Sequence, residues 1–178
     1  MTYTLWVTFF LILFILLQYT SADLVSNVCA QTRNITLCSQ TLYNSIEYTN
    51  NTDAKGLAYI MIGAALDRAA HNLVYVKGLI DNQTSTKPNN SNQCLQVCYK
   101  DYNLVVKAII PNANQSLSAG TTFVAAVAIL YSADKILDCQ DEDCVKMSSN
   151  LNDKCNEYAD FAQLVADVLR VTPKKINY

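Results

Sequence analysis

The chain has few of the residues that break or turn a backbone: four glycines and three prolines in 178 positions. That scarcity leaves little material for turns and points to a fold of long helices. Histidine is scarcer still, with His71 alone, and there is no glycine-rich loop to cradle a phosphate, so the composition is a poor one for an enzyme. An excess of positive charge is missing as well. Thirteen Lys and Arg stand against fifteen Asp and Glu, a formal net charge of −2, so no basic stripe is available to neutralise nucleic-acid phosphates. Charged residues make up 16% of the chain and apolar ones 51%, which excludes a disordered chain and supplies a sizeable core for one domain.

Charge is wholly absent from the first twenty-two residues, where Leu5 to Leu17 is an almost unbroken apolar run. Thirteen residues at ~1.5 Å rise span roughly 20 Å, short of a ~30 Å hydrocarbon core. Small residues then follow at Thr20-Ser21-Ala22, the pattern that ends a secretory leader. The expectation is a signal peptide over 1–22 and a secreted mature chain over 23–178. Five Asn-x-Ser/Thr sequons, at Asn34, Asn50, Asn82, Asn89 and Asn114, agree with export. Seven cysteines agree with it too, since an oxidising compartment lets them serve as staples.

The mature chain repeats apolar residues with helical period. Ala58, Ile62, Ala65, Ala69, Leu73, Val76 and Ile80 form one stripe, with Thr52 or Asp53 placed to cap it and the polar stretch 82–92 to end it. A second helix carries Leu95, Cys98, Tyr102, Val105 and Ile109, and Pro111 either kinks or ends it. A third runs from about Thr121 to Cys139 with Ala126, Leu130, Ala133 and Leu137 on one face. The last carries Leu151, Cys155, Tyr158, Ala162, Val165 and Leu169. No segment sustains the alternation of a strand. Four amphipathic helices with short connections predict an all-α antiparallel four-helix bundle over 52–178. Two shorter patches, Leu24–Ala30 and Cys38–Ile46, flank a polar turn and predict a helical hairpin over 23–51.

Seven cysteines with one left over allow on the order of a hundred pairings, so spacing alone does not fix connectivity. A bridge between Cys29 and Cys38 would hold two helices too short to fold alone. One between Cys98 and Cys139 would close a loop of about forty residues, for ~4 kcal/mol of lost unfolded-state entropy. Cys94 lies one turn before Cys98 and Cys144 five residues beyond Cys139, so these two form a further rung if the third helix breaks at 140–143. Cys155 falls on a core stripe and reads as a buried free thiol, with a Cys144–Cys155 bridge as the other arrangement. Zinc ligation through Cys94-x3-Cys98 or Cys139-x4-Cys144 is the weaker reading in a secreted chain, and no metal or other cofactor is expected.

His71 lies within the alanine-striped helix with no activated Ser or Cys implied beside it, so a structural role is expected. Asp141, Glu142 and Asp143 read as a solvated helix end that also suits a basic partner. Tyr102 and Tyr158 fall on core stripes, while Tyr43, Tyr48, Tyr59 and Tyr99 are candidate interface anchors.

The pattern Cys29-x8-Cys38, then Cys98-x3-Tyr102, then Cys139-Gln140-Asp141, together with the alanine-rich stretch from Gly56-Leu57-Ala58 to Ala69-Ala70, resembles the plant invertase and pectin methylesterase inhibitor family. The resemblance spans essentially the whole mature chain. It implies a four-helix bundle with an N-terminal hairpin and two disulfides, carried here to Cys29–Cys38 and Cys98–Cys139. It also implies a cell-wall, apoplastic or vacuolar protein that blocks a carbohydrate-active enzyme, in a complex expected to be 1:1.

Two positions bear on which enzyme. Invertase inhibitors resembling this chain often carry Pro-Lys-Phe near the start of the third bundle helix, where this chain has Gly120-Thr121-Thr122-Phe123-Val124. Esterase inhibitors often carry Thr before the cysteine that here is Cys139, and this chain has Asp138. The expectation leans to pectin methylesterase, with invertase as the alternative target. A helical ligand-binding or structural and defence protein is the alternative of another class. The partner-binding face is not marked by any motif.

Overall fold

A computed structural model describes residues 24–45, 47–48, 52–83, 90–140 and 149–172. Among them there is no strand. The N-terminal hairpin consists of α1 (Leu24–Cys29) and α2 (Ile35–Tyr43), and the bundle is formed by α3 (Ala54–Gln83), α4 (Asn90–Leu104), α5 (Ile110–Ser118), α6 (Thr122–Leu137) and α7 (Ser149–Val171). The leader, the sequons Asn50 and Asn89, the acidic run 141–143 and Cys144 lie outside the described residues.

Two helices start at side-chain caps. Asn34 caps α2 by accepting the Leu37 N–H at 3.0 Å, and Asp53 caps α3 by accepting the Gly56 N–H at 2.7 Å. Glycine at 56 leaves room for that cap, because a Cβ there would stand 2.7 Å from Thr52 Cγ2. The α3 helix extends to Gln83, and α4 begins at Asn90, inside the stretch expected to be loop.

Pro111 does not end the helical run. Val105–Ile109 widens to a π-helical turn, in which the Ile110 N–H reaches Val105 O, and α5 continues with Pro111 in its first turn. A proline inside an α-helix lacks the N–H for its i−4 carbonyl and collides with it. The wider turn removes the requirement, so α4, the π turn and α5 form one continuous rod. A three-residue reversal, Ala119-Gly120-Thr121, then joins α5 to α6. Gly120 takes φ +80°, and the Thr121 N–H returns to Ser116 O at 2.9 Å, the Gly-centred stop expected at a helix C-terminus.

The stripes of α4 and α7 read from sequence are all buried: Leu95, Cys98, Tyr102, Val105 and Ile109 on one rod, Leu151, Cys155, Tyr158, Ala162, Val165 and Leu169 on the other. On α3, Ala58, Ile62, Ala65, Ala69 and Val76 are buried, while Leu73 and Ile80 sit at the margin. The third bundle helix is turned from its expected setting. Its core face is Ala125, Ile129, Ser132 and Ile136 together with Ala126 and Ala133, and Leu130 and Leu137 are only half-buried. This helix is apolar nearly all round, so periodicity carries little phase information.

Polar groups in the core are paired across helices. The Tyr158 hydroxyl and Ser132 Oγ lie 2.8 Å apart, and Ser132 also donates to Ile129 O. The Tyr102 hydroxyl meets Cys155 Sγ at 3.6 Å and accepts from Asn72 Nδ2 at 3.4 Å. Burial pushes both phenols up, Tyr158 to about 12, so they remain neutral donors.

Candidate docking surface

The disulfides fix the frame from which any surface is presented. Cys29–Cys38 closes the hairpin and Cys98–Cys139 joins α4 to the 3-10 turn (Asp138–Gln140) after α6. Cys94 is disulfide-bonded as well. Cys155 is a free, fully buried thiol, pushed up by burial despite its hydrogen bond to Tyr102, and so is poorly reactive.

The hairpin is fastened to the bundle by both apolar and ionic contacts. Val25, Val28, Cys29, Cys38 and Leu42 are buried in the common core. Arg33, in the turn between α1 and α2, grips the Asp167 carboxylate of α7 with Nε at 2.8 Å and Nη2 at 3.2 Å, adds its own backbone N–H at 3.3 Å, and donates to Gln163 Oε1. Arg170 approaches the same carboxylate at 3.4 Å. Burial pushes the Asp167 carboxyl up, but the bonds and charge of Arg33, aided by Arg170, outweigh it and hold the group below the usual carboxylate range.

On this stiff frame, α6 presents a second apolar face to solvent. Phe123 is 71% exposed, Val124 51%, Val127 48% and Tyr131 48%. At 3.6 residues per turn the four fall within an arc of about 100°, opposite the buried Ala125, Ile129, Ser132 and Ile136. The stripe ends in charge: Lys135 Nζ lies 5.9 Å from the Tyr131 ring and 2.7 Å from Asp138 Oδ2. Asp101 of α4 senses both Lys135 and Asp138, and partial burial raises its carboxyl. Val97 and Leu104, one turn to either side of Asp101 on α4, are exposed too. Contiguous apolar side chains rimmed by charges are the usual signature of a protein-docking face.

Phe123, Val124 and Asp138 fall in the two stretches that bear on the choice of enzyme, but Val127, Tyr131, Val97 and Leu104 were not marked in the sequence. The available signal was the run 122–131, too apolar for a helix that needs one buried face. Of the tyrosines considered as anchors, Tyr43 is exposed with Tyr48 edge-on against it at 5.5 Å, while Tyr59 and Tyr99 are half-buried against the core. Tyr102 and Tyr158 are fully buried. His71 is exposed on α3, and the sequon residues Asn34, Asn82 and Asn114 are exposed. Asn34 uses Oδ1 for its cap. Among the described residues no group of His, Cys, Asp and Glu could hold a metal ion.

A disulfide-stapled four-helix bundle with a hairpin clasped to one end, and an apolar face turned outward, is the architecture of a protein that acts by binding another. The chain belongs to the plant invertase/pectin methylesterase inhibitor family, whose model matches residues 23–170. Among solved structures, a mutant form of a pectin methylesterase inhibitor from Arabidopsis superposes with a TM-score of 0.64 at 19% identity, covering 86% of this chain and 100% of that one. A second pectin methylesterase inhibitor, from Arabidopsis thaliana, gives 0.56 at 18% identity, covering 85% and 97%. No curated protein sequence matches the chain.

Proposed function

We propose that the chain is a secreted inhibitor of pectin methylesterase that docks the outward face of α6 against the enzyme in a 1:1 complex. The exposed stripe of Phe123, Val124, Val127 and Tyr131 carries the reading. These side chains sit on a helix whose other face is locked in the core, so little ordering cost opposes association. Family membership supports an inhibitory role. The two similar structures are named as pectin methylesterase inhibitors, and the absence of Pro-Lys-Phe at 121–124 weighs against invertase. Residues 1–22 act as the leader, Ala22 is the cleavage point, and the inhibitor domain is 23–178, glycosylated at one or more of its sequons. Among the described residues no helix is long and apolar enough to cross a membrane, in keeping with release to the cell wall.

Purified mature protein assayed at micromolar concentration against a plant pectin methylesterase and an acid invertase tests this directly. Inhibition of the esterase alone, weakened at least tenfold by Val127→Asp, is expected. Inhibition of invertase alone would reassign the target. Full potency in the Val127→Asp and Tyr131→Ala variants would remove α6 from the interface.

A further inference from the structure

Away from the docking face, α3 and α7 leave a cleft of about 400 Å³ between them, within the size range of small-molecule sites. Asp67, Arg68, His71 and Asn72 line one wall, and Lys154, Glu157 and the edge of Tyr158 line the other. Arg68 and Lys154 do not pair with the carboxylates beside them. Each instead leans across to an aromatic ring of the opposite helix, the Arg68 guanidinium 4.0 Å from the Phe161 centroid and Lys154 Nζ 5.0 Å from that of Tyr75. Among the described residues no ion pair engages Asp67 or Glu157.

Asn72 supplies a second, independent observation. It is 8% exposed, and its Nδ2 donates to the Tyr102 hydroxyl and to Lys154 O, both at 3.4 Å. Asn72 lines the cleft and its Oδ1 has no donor among the described residues, and a buried acceptor left unmatched costs free energy that an incoming hydroxyl recovers.

The chemistry of the walls selects the ligand class. Two positive and two negative groups cancel, so neither an anion nor a cation is favoured by net charge. Carboxylate and amide oxygens accept, guanidinium and ammonium groups donate, and His71 does both. A ring of neighbouring hydroxyls, each able to donate once and accept twice, matches such alternation. Apart from Tyr158 the lining side chains are charged or polar, which leaves an apolar ligand little surface to bury. We propose that this cleft between α3 and α7 is a binding site for a small neutral polyhydroxylated ligand, a mono- or disaccharide.

The sole histidine gives the cleft its own reporter. Isotope-labelled mature protein titrated with sucrose is expected to show saturable shifts of the His71 imidazole and the Asn72 side-chain amide. Asp67→Asn and Glu157→Gln should each raise the midpoint about tenfold, as charge-assisted hydrogen bonds are the stronger kind, while Lys107→Ala on α4–α5 leaves it unchanged. All three positions are exposed, so the variants keep the fold. Absence of saturation, saturation by galacturonate but not by sucrose, or midpoints unmoved in both acidic variants would overturn the proposal. Esterase inhibition, read separately, neither supports nor weakens it.

Discussion

Replacing Asp167 with Asn tests how the hairpin is held. The substitution keeps the shape of the side chain and removes the charge that receives two guanidinium bonds, a backbone N–H and the approach of Arg170. A hydrogen bond to a charged partner contributes about 1.5–3 kcal/mol where water is excluded, and the Arg33 side chain is half exposed, so about 1–2 kcal/mol is expected at neutral pH. For a chain of this size that corresponds to a fall in Tm of roughly 2–8 °C. The pH dependence has a definite sign. Because the folded carboxyl titrates below its unfolded value, its contribution is complete above the unfolded value, near pH 4, and is lost as pH falls through the folded one. The wild-type and Asp167→Asn melting curves should therefore converge under strongly acid conditions. Hydrogen exchange adds location: amides of α1 and α2 should exchange faster in the variant while those of α7 beyond the first contact do not. Equal stability at neutral pH, or a gap that persists after the carboxyl is protonated, would show that apolar contacts alone seat the hairpin.

Thiol labelling of unreduced, denatured protein should modify one cysteine per chain, Cys155, if Cys94 pairs with Cys144 as we propose; three modified cysteines would refute that rung. In the native state even Cys155 should resist labelling, since it is buried and its thiolate is disfavoured. Joint replacement of Cys98 and Cys139 by Ser should cost about 2–3 kcal/mol in denaturant unfolding, less than the ~4 kcal/mol of a loop with a sequence separation of 41, because the proposed Cys94–Cys144 rung still encloses that segment. Gly120→Ala places a Cβ at φ +80° and should lower stability by about 1–2 kcal/mol, measured by thermal melting. Ile129→Ala, on the buried side of α6, should lose about 2–5 kcal/mol of stability while the folded fraction keeps its potency, whereas Val127→Asp should retain Tm and lose inhibition.

Those two positions also show where the sequence stopped being readable. The faces of α4 and α7 were legible because polar residues separate their apolar ones at every turn, so a period of 3.6 has a phase. The hairpin was legible from two apolar patches around a polar turn, and the Cys29–Cys38 and Cys98–Cys139 pairs through resemblance to a known family. In α6 the run Phe123, Val124, Ala125, Ala126, Val127, Ala128, Ile129, Leu130, Tyr131 has no polar member. More than one face fits it, and the expected stripe of Ala126, Leu130, Ala133 and Leu137 lies about 70° from the buried one while sharing its two alanines. The outcome at Pro111 was hidden for a different reason: whether a π turn forms depends on the packing of Val105 and Ile109 against neighbouring helices, which local sequence does not specify.

The ambiguity of α6 and the candidate docking face have one physical origin. A helix that must bury one face and bind with the other is apolar on both, and only tertiary structure decides which is which. Here the decision rests on small residues and one hydroxyl. Ala125, Ala126 and Ala133 let α6 approach α7 closely, and Ser132 reaches Tyr158 at 2.8 Å, a pairing no outward rotation of the helix preserves. Turning α6 by half a turn would bury Phe123 and Tyr131 where alanines now fit, overfilling the interface, and would strand the Tyr158 hydroxyl in the core. The inward face is thus chosen by volume and by one buried hydrogen bond. The larger apolar residues are left outside, at no cost in core packing, where a partner can cover them.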